Sequence, residues 1–417
     1  MKKLHFNLLL VIALTSAVLT GCFKDTGYYR YTMYTPVYKT TAEVRAGIKS
    51  DAPAAVQEPG KMYIIGNYIF LAEKLRGIHI IDNTNPANPV NKAFIKIPGC
   101  EDMAVRGNTL YADCYTDLMT IDITDPMNVV LKKHIVNLFP DRRNVGGFNI
   151  DTTRVITEFV AKDTTIRVAA AQERFFSQDK LFSTQSLSFS GIANSGTGRS
   201  TGQGGSMARF AILNNYLYSV TTSTLNTVNI SQPQLPVLNG TIGLGFGIET
   251  IYPFQDKLFI GSTTGMLIFS AANPAAPVRL GTFSHARRCD PVIVDSIYAY
   301  VTLRGGGACG GPSNELDVIN VENLLSPSLV KMYPLNSPGG LSKDGKWLFI
   351  CDGTAGLKCF DAANVNDIKL QKTITMSEPY DVICVNGLAM VSAKDGLYQY
   401  DYSNINDIKL LSKMGLQ

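Results

Sequence analysis

Apolar residues along this chain come in short bursts rather than long stretches. From residue 101 to 135 they read EDMAV, TLYADC, LMTIDI and VVLKKHI, separated by RGN, a short loop and TDPMN. Each burst is four to seven residues long, rich in Val, Ile, Leu and Tyr, and bounded by Gly, Asn, Asp or Pro. That is the pattern of short β-strands joined by tight turns. It predicts four strands, called a, b, c and d in chain order. The segment TTAEVRAGI breaks the pattern and predicts a short helix with a Thr40/Glu43 capping box.

The third strand and its turn are written repeatedly. GIHIIDNTNPANPV at 77–90 returns as DLMTIDITDPMNVV at 117–130, then more loosely as GMLIFSAANPAAPV, GLKCFDAANVNDIKL and GLYQYDYSNINDIKL. Strand c closes on Asp82, Asp122, Asn229, Ser270, Asn320, Asp361 and Asp401, spaced 40, 107, 41, 50, 41 and 40 residues apart. A recurring four-stranded unit of roughly 40 residues is the signature of a β-propeller blade, which buries both faces only by stacking on neighbours. The expected fold is therefore all-β, a seven-bladed propeller over residues 60–417. Because the strand-c closers recur at one turn, they are read as caps accepting a backbone N–H two residues on, not as catalytic groups.

Two spacings depart from 40. The long one leaves an insertion at about 140–206, containing TRVITEFVAKDTTIRV, expected as a hairpin, and SGIANSGTGRSTGQGGS, expected as a flexible linker. An eighth, degenerate blade would fit there, but no strand-c signature marks it. The gap of 50 comes from GGGACGGPSN, a lengthened b–c loop in the fifth unit. Every unit is complete from a to d, so the ring is expected to close by packing the last blade on the first, without strand exchange between the termini.

The N-terminal end predicts an address. Lys2 and Lys3 precede a short apolar run that ends in Leu19-Thr20-Gly21-Cys22, which resembles a bacterial lipobox. The resemblance implies a signal peptide at 1–21, acylation (palmitate among the chains) at Cys22, and a lipidated tether with a short helix over 22–59. The only expected membrane contact is through that anchor. The strand-c wording, with CDPVIVDSIYAYVTLR and LFICDGTAGLK, resembles the LVIVD-repeat β-propeller lipoproteins of Bacteroidota-type bacteria. That likeness implies a fold and a place, lipid-anchored in the cell envelope at the outer membrane, and no established activity.

Strands alternate in direction, so the b–c loops and d–a connections share one face and the stereotyped turns share the other. All elaboration falls on the first face, and rigid scaffolds put recognition on variable loops. Strand a is expected innermost, which rings the channel mouth on that face with Glu101, Asp102, Glu249, Asp290 and Asp381. Oxygen-rich rings suit a polar ligand or a hard cation such as calcium. A solvated tunnel, with Lys61 and Arg209 as partners, is the plainer reading, and no resident cofactor is expected.

Of eight cysteines, Cys289 with Cys309 and Cys100 with Cys114 are candidate disulfides at the first face, while Cys351, Cys359 and Cys384 read as core residues. No CxxC, HxxxH or HExxH occurs, and GTGRSTGQGG lacks the Lys-Ser/Thr of a phosphate loop. With a formal charge of +4 and no Lys/Arg run, the chain offers little footprint for nucleic acid. The expected function is a binding or assembly module with a protein or glycan partner in the envelope. The alternative is a hydrolase or lyase acting on a carbohydrate or small metabolite at the channel mouth.

Overall fold

Seven runs of four consecutive strands each fold into an antiparallel sheet, in the order a-b-c-d. The computed structural model describes residues 26–145, 148–149, 153–169, 202–285, 291–306 and 314–415. The blades occupy residues 59–96, 103–135, 210–243, 248–284, 292–334, 341–374 and 379–415, numbered 1 to 7 in that order. Neighbouring a strands touch one another around the whole circle, blade 7 returning to blade 1. The protein is a seven-bladed β-propeller with strand a innermost.

The predicted turn chemistry holds in all seven blades. Thr84 N donates to Asp82 Oδ1 at 3.0 Å, and Thr124 N donates to Asp122 at 3.0 Å. Asn229, Ser270 and Asn320 cap Ser231, Ala272 and Glu322 at 2.8, 3.3 and 2.8 Å. Asp361 and Asp401 do the same for Ala363 and Ser403, at 3.0 and 2.8 Å. The Thr124 hydroxyl and amide hold the Asp122 carboxyl down at about 2. A feature the pattern did not predict accompanies each turn. Strand d pairs with strand c through a register shift in every blade, as where Gln399 faces Ser412 but the next residue, Tyr400, faces Leu410. One extra residue thus kinks each strand d.

Blades stack through aliphatic and aromatic side chains, with tyrosine hydroxyls as ties. Tyr63, Tyr111, Tyr218, Tyr252 and Tyr333 each donate to a carbonyl of the following blade or its turn, at 2.7 to 3.1 Å. Tyr402 of blade 7 donates instead to Asp344 of blade 6 at 2.6 Å. Between blades 7 and 1 the core is Met62, Ile69, Leu71 and Ile81 against Ile383, Met390 and Leu397. Each such side chain contributes about 1.5–3 kcal/mol by leaving water. Blade 7 is built entirely from residues 379–415, so closure needs no exchanged strand.

Blade 1 carries two additional strands. Lys49–Asp51 pairs outside its strand d, and Gln203–Gly204 pairs inside its strand a. The helix Thr41–Ala46 precedes the first, with the predicted capping box present: Thr40 Oγ1 accepts from Glu43 N at 3.1 Å and Thr40 N donates to Glu43 Oε2 at 2.7 Å.

A separate unit departs from expectation. The segment read as a tether is a strand, Thr26–Thr40, and it pairs with Arg154–Ala169 in a two-stranded sheet. The expected hairpin at 154–169 is therefore one continuous strand. Its middle, Lys162-Asp163-Thr164-Thr165, offers no Gly, Asn or Pro to turn the chain, and β-branched threonines favour extension. Asp163 accepts from Arg30 at 3.0 Å and from Thr32 at 2.9 Å.

Candidate functional site

The inner strands bring several expected mouth residues together. Asp102, entering strand a of blade 2 (Met103–Arg106), receives Lys61 Nζ from strand a of blade 1 (Pro59–Ile65) at 2.5 Å. The same Oδ2 receives the Arg209 amide at 2.5 Å. Neighbouring Glu101 lies 3.6 Å from Arg142, whose guanidinium also pairs with buried Asp113. Burial works against the charge on Arg142, but Asp113, Glu101 and Asp141 hold its pKa above the ordinary value. Arg209 is pushed the other way, first by burial and then by Arg142.

Asp381, on strand a of blade 7 (Pro379–Val385), is fully buried. Burial lifts its carboxyl to about 7, against the lowering effects of the Val382 amide, Ser206 and Lys61. Its Oδ1 accepts from Val382 N at 3.0 Å, whereas Oδ2 receives no well-formed hydrogen bond. Glu249, half-buried on blade 4, belongs to the far side of the ring. Asp290 lies outside the described residues. The expected carboxylate ring is thus divided into ion pairs and one buried acid. Among the described residues no three His, Cys, Asp or Glu side chains converge to hold a metal ion.

The channel is not an open tunnel at this level. Residues 202–209, the end of the expected linker and the three residues that follow it, run along it. Gly202 N reaches Val105 O at 3.4 Å, Gly205 N reaches Met62 O at 2.8 Å, and Ser206 Oγ accepts the Leu341 amide at 2.5 Å. Ser206, Met207, Ala208 and Arg209 are all buried. Polar low-complexity composition suggested a solvated linker, but glycine is what lets a backbone pass this close to others. A Cβ on Gly202 would lie 2.3 Å from Ile64 O, and one on Gly205 only 2.0 Å from Asp381 Oδ2.

A recurring clamp on the first face escaped the sequence reading. In blades 1, 2 and 6 a carboxylate at or near the end of strand b accepts two successive amides of the segment leading toward strand a. Glu73 receives Gln57 and Glu58 at 2.8 and 3.0 Å, and Asp113 receives Glu101 and Asp102 at 2.7 and 3.0 Å. Asp352 receives Asn336 and Ser337 at 2.9 and 2.8 Å. Each clamp has a cation: Arg76 for Glu73, Arg142 for Asp113, and Lys358 for Asp352. Glu73 also holds His79 Nε2 at 2.9 Å, and Asn91 donates to His79 Nδ1 at 3.2 Å. Burial pushes His79 below its ordinary pKa, so it stands neutral with the proton on Nε2. The visible signal was an acidic residue ending strand b in three units.

The cysteines divide similarly. Cys100 and Cys114 are free thiols, and the expected bridge between them is not formed. Cys114 Sγ is directed at Pro98 O, 3.1 Å away, and Cys100 Sγ at Asp102 O, 3.7 Å away, so each sulfur is occupied separately. Cys351, Cys359 and Cys384 are buried core residues, as expected. Cys22, Cys289 and Cys309 lie outside the described residues.

One first-face side chain stands out by exposure. Phe246, in the connection from blade 3 to blade 4, is 91% exposed. Gly245 and Gly247 flank it at φ 92° and 81°, and a Cβ on Gly247 would meet Thr263 Oγ1 at 2.1 Å. The tight turn holds the aromatic ring out.

The LVIVD repeat profile matches residues 61–94 and 100–136, within blades 1 and 2. No curated protein sequence matches the chain. Among solved structures, the designed Ika8 protein is similar at 9% identity and TM-score 0.53, covering 88% of this chain and 90% of that one. A functionally unknown protein from Desulfotomaculum acetoxidans is similar at 12% identity and TM-score 0.53, covering 84% and 95%. PorZ, a surface component of the type-IX secretion system of Porphyromonas gingivalis, is similar at 11% identity and TM-score 0.50, covering 87% of this chain and 39% of its own. At these identities the likeness is one of fold, and the protein is a β-propeller bearing LVIVD repeats.

Proposed function

We propose that this protein is a lipid-anchored binding or assembly module of the bacterial cell envelope, and that it works through the face bearing its b–c and d–a loops. Phe246 carries the reading: a ring held in water between two glycines is an anchor awaiting a pocket, and aromatic side chains dominate interface energetics. The lipobox at 19–22 supplies the address, and PorZ is a bacterial surface component built on a similar fold. The test is quantitative capture of partners from envelope extracts by wild type and Phe246→Ser, with glycan-array binding in parallel. At least one partner should be lost in the variant; identical capture profiles would end the assignment of this face.

The competing enzyme reading draws on Asp381, a carboxylic acid poised near pH 7. Gly205 and Gly340 wall that carboxyl off, with Cβ positions only 2.0 and 2.5 Å from its oxygens. Turnover of an envelope glycan that disappears in Asp381→Asn would favour the enzyme.

A further inference from the structure

The ring closes between blades 7 and 1 without an exchanged strand, yet a strand does lie across this region, inside the channel. Residues 202–209 bond to Met62 of blade 1, to Asp102 of blade 2 and to Leu341 of blade 6. They also press on Asp381 of blade 7. Their contact with Asp381 leaves no room: the Gly205 Cα faces Oδ2, and Gly340 closes the other side, where a Cβ would sit 2.5 Å from Oδ1 and 2.8 Å from Ser206 Oγ. Water cannot reach Oδ2 while the segment is in place, and Oδ2 lacks a well-formed hydrogen bond.

We propose that residues 202–209 form a proton-controlled latch, which stays seated in the channel while Asp381 is neutral and is released when Asp381 ionises. A charge created at Oδ2 is fully buried and one-sidedly solvated, which is costly unless the backbone against it moves and admits water. Release would open the first-face mouth and free the end of the insertion that the latch pins to the ring.

The other titratable groups facing Asp381 do not supply this response. Tyr380 and Cys351 are raised by burial and by Asp381 itself, so both stay neutral over the range concerned. Lys61 is engaged by Asp102 and also favours the ionised Asp381, but burial outweighs it. His79 is turned into blade 1, toward Glu73 and Asn91.

The sign follows from linkage. With the latch seated, burial raises the carboxyl from 3.8 to about 7 and outweighs the lowering by Val382, Ser206 and Lys61, so the seated state binds a proton that a carboxyl opened to water gives up. Seating is therefore strongest below about pH 4 and is lost as pH rises to about 7. The released fraction should grow by roughly tenfold per pH unit between pH 5 and 7, then level off.

Hydrogen exchange of the full chain, expressed as protection factors so that intrinsic rates cancel, reads this directly at 202–209. Wild type should lose protection there from pH 5 to 7, together with the Val220 and Ile251 amides that donate to Arg209 and Ala208, while the inner strand of blade 5 keeps its own. Asp381→Asn should remain protected throughout, and Gly205→Ala should be unprotected at every pH. A flat wild-type profile, or the wild-type slope persisting in Asp381→Asn, would overturn the proposal. Should Asp381→Asn fail to fold, wild-type protection and slope in Gly205→Ala would overturn it equally.

Discussion

Asn83 and Gln399, 316 residues apart in the chain, exchange two side-chain hydrogen bonds across the seam of the ring. Asn83 Nδ2 donates to Gln399 Oε1 at 2.9 Å, and Gln399 Nε2 donates back to Asn83 Oδ1 at 2.6 Å. Beside them Ser412 Oγ reaches Pro86 O at 2.6 Å. Gln399 is fully buried, so its amide has no water to fall back on. At this seam the amide pair stands where a tyrosine hydroxyl ties other neighbours.

The first prediction tests that pair. Asn83→Ala should cost about 1–3 kcal/mol, because it leaves the buried Gln399 amide without its partner, and Gln399→Ala toward the lower end of that range, because Asn83 is half-buried. The double variant should cost much less than the sum of the singles, with a coupling of about 1 kcal/mol or more. Urea denaturation of the four proteins measures the cycle, and strict additivity would show that the amides do not hold the seam.

A second prediction concerns acid. His79 has its folded pKa below 6.5, chiefly through burial, so the unfolded chain takes up a proton that the folded chain refuses. Stability should fall as pH drops below about 6.5. Glu73 adds to this lower down: burial opposes its charge, but the Glu58 amide, His79 and the Gln57 amide outweigh that and hold its pKa down. His79→Gln, which keeps a donor for Glu73, should flatten the dependence between pH 7 and 5. Denaturation midpoints at both pH values compare the two, and equal slopes would place the acid sensitivity elsewhere.

The third prediction isolates a clamp. Asp113→Asn keeps an acceptor for the Glu101 and Asp102 amides but removes the buried charge facing the largely enclosed Arg142. Breaking a buried pair from one side should cost about 3 kcal/mol. Thermal or urea melts read the loss, and exchange at residues 99–102 should stay slow because the amides are still held. A loss below about 0.5 kcal/mol would mean that the pair is effectively solvated.

A fourth prediction addresses the anchor. Cys22→Ser should abolish metabolic labelling with palmitate and move the protein from the membrane to the soluble fraction. Palmitate labelling that survives in this variant would refute the lipobox reading.

How far residues alone could lead differs between parts of the molecule. Blade number and turn chemistry were legible because a capping side chain must fall at one place in each repeat, and Asp82, Asn229 and Ser270 do the same work with different atoms. Inner carboxylates were legible as positions but not as chemistry: Asp102 and Asp381 occupy equivalent sites, yet one meets Lys61 and the other meets a glycine backbone. Nothing in the order of residues says which blade a glycine-rich segment will enter, so the strand Gln203–Gly204 could not be foreseen. The seven strand-d kinks were hidden because an extra outward residue on a solvent-facing strand leaves no mark in the apolar pattern.

Those kinks govern how copies of this molecule behave in a crowd. An open strand at the rim of a sheet is a template on which another chain can zip, and a propeller has as many rims as blades. Here every strand d is bent out of register, and Lys49–Asp51 covers part of the rim of blade 1. No strand d among these blades offers an unbroken straight ladder to a neighbour. Molecules held side by side at high density would resist fusing into fibrils through their blade rims.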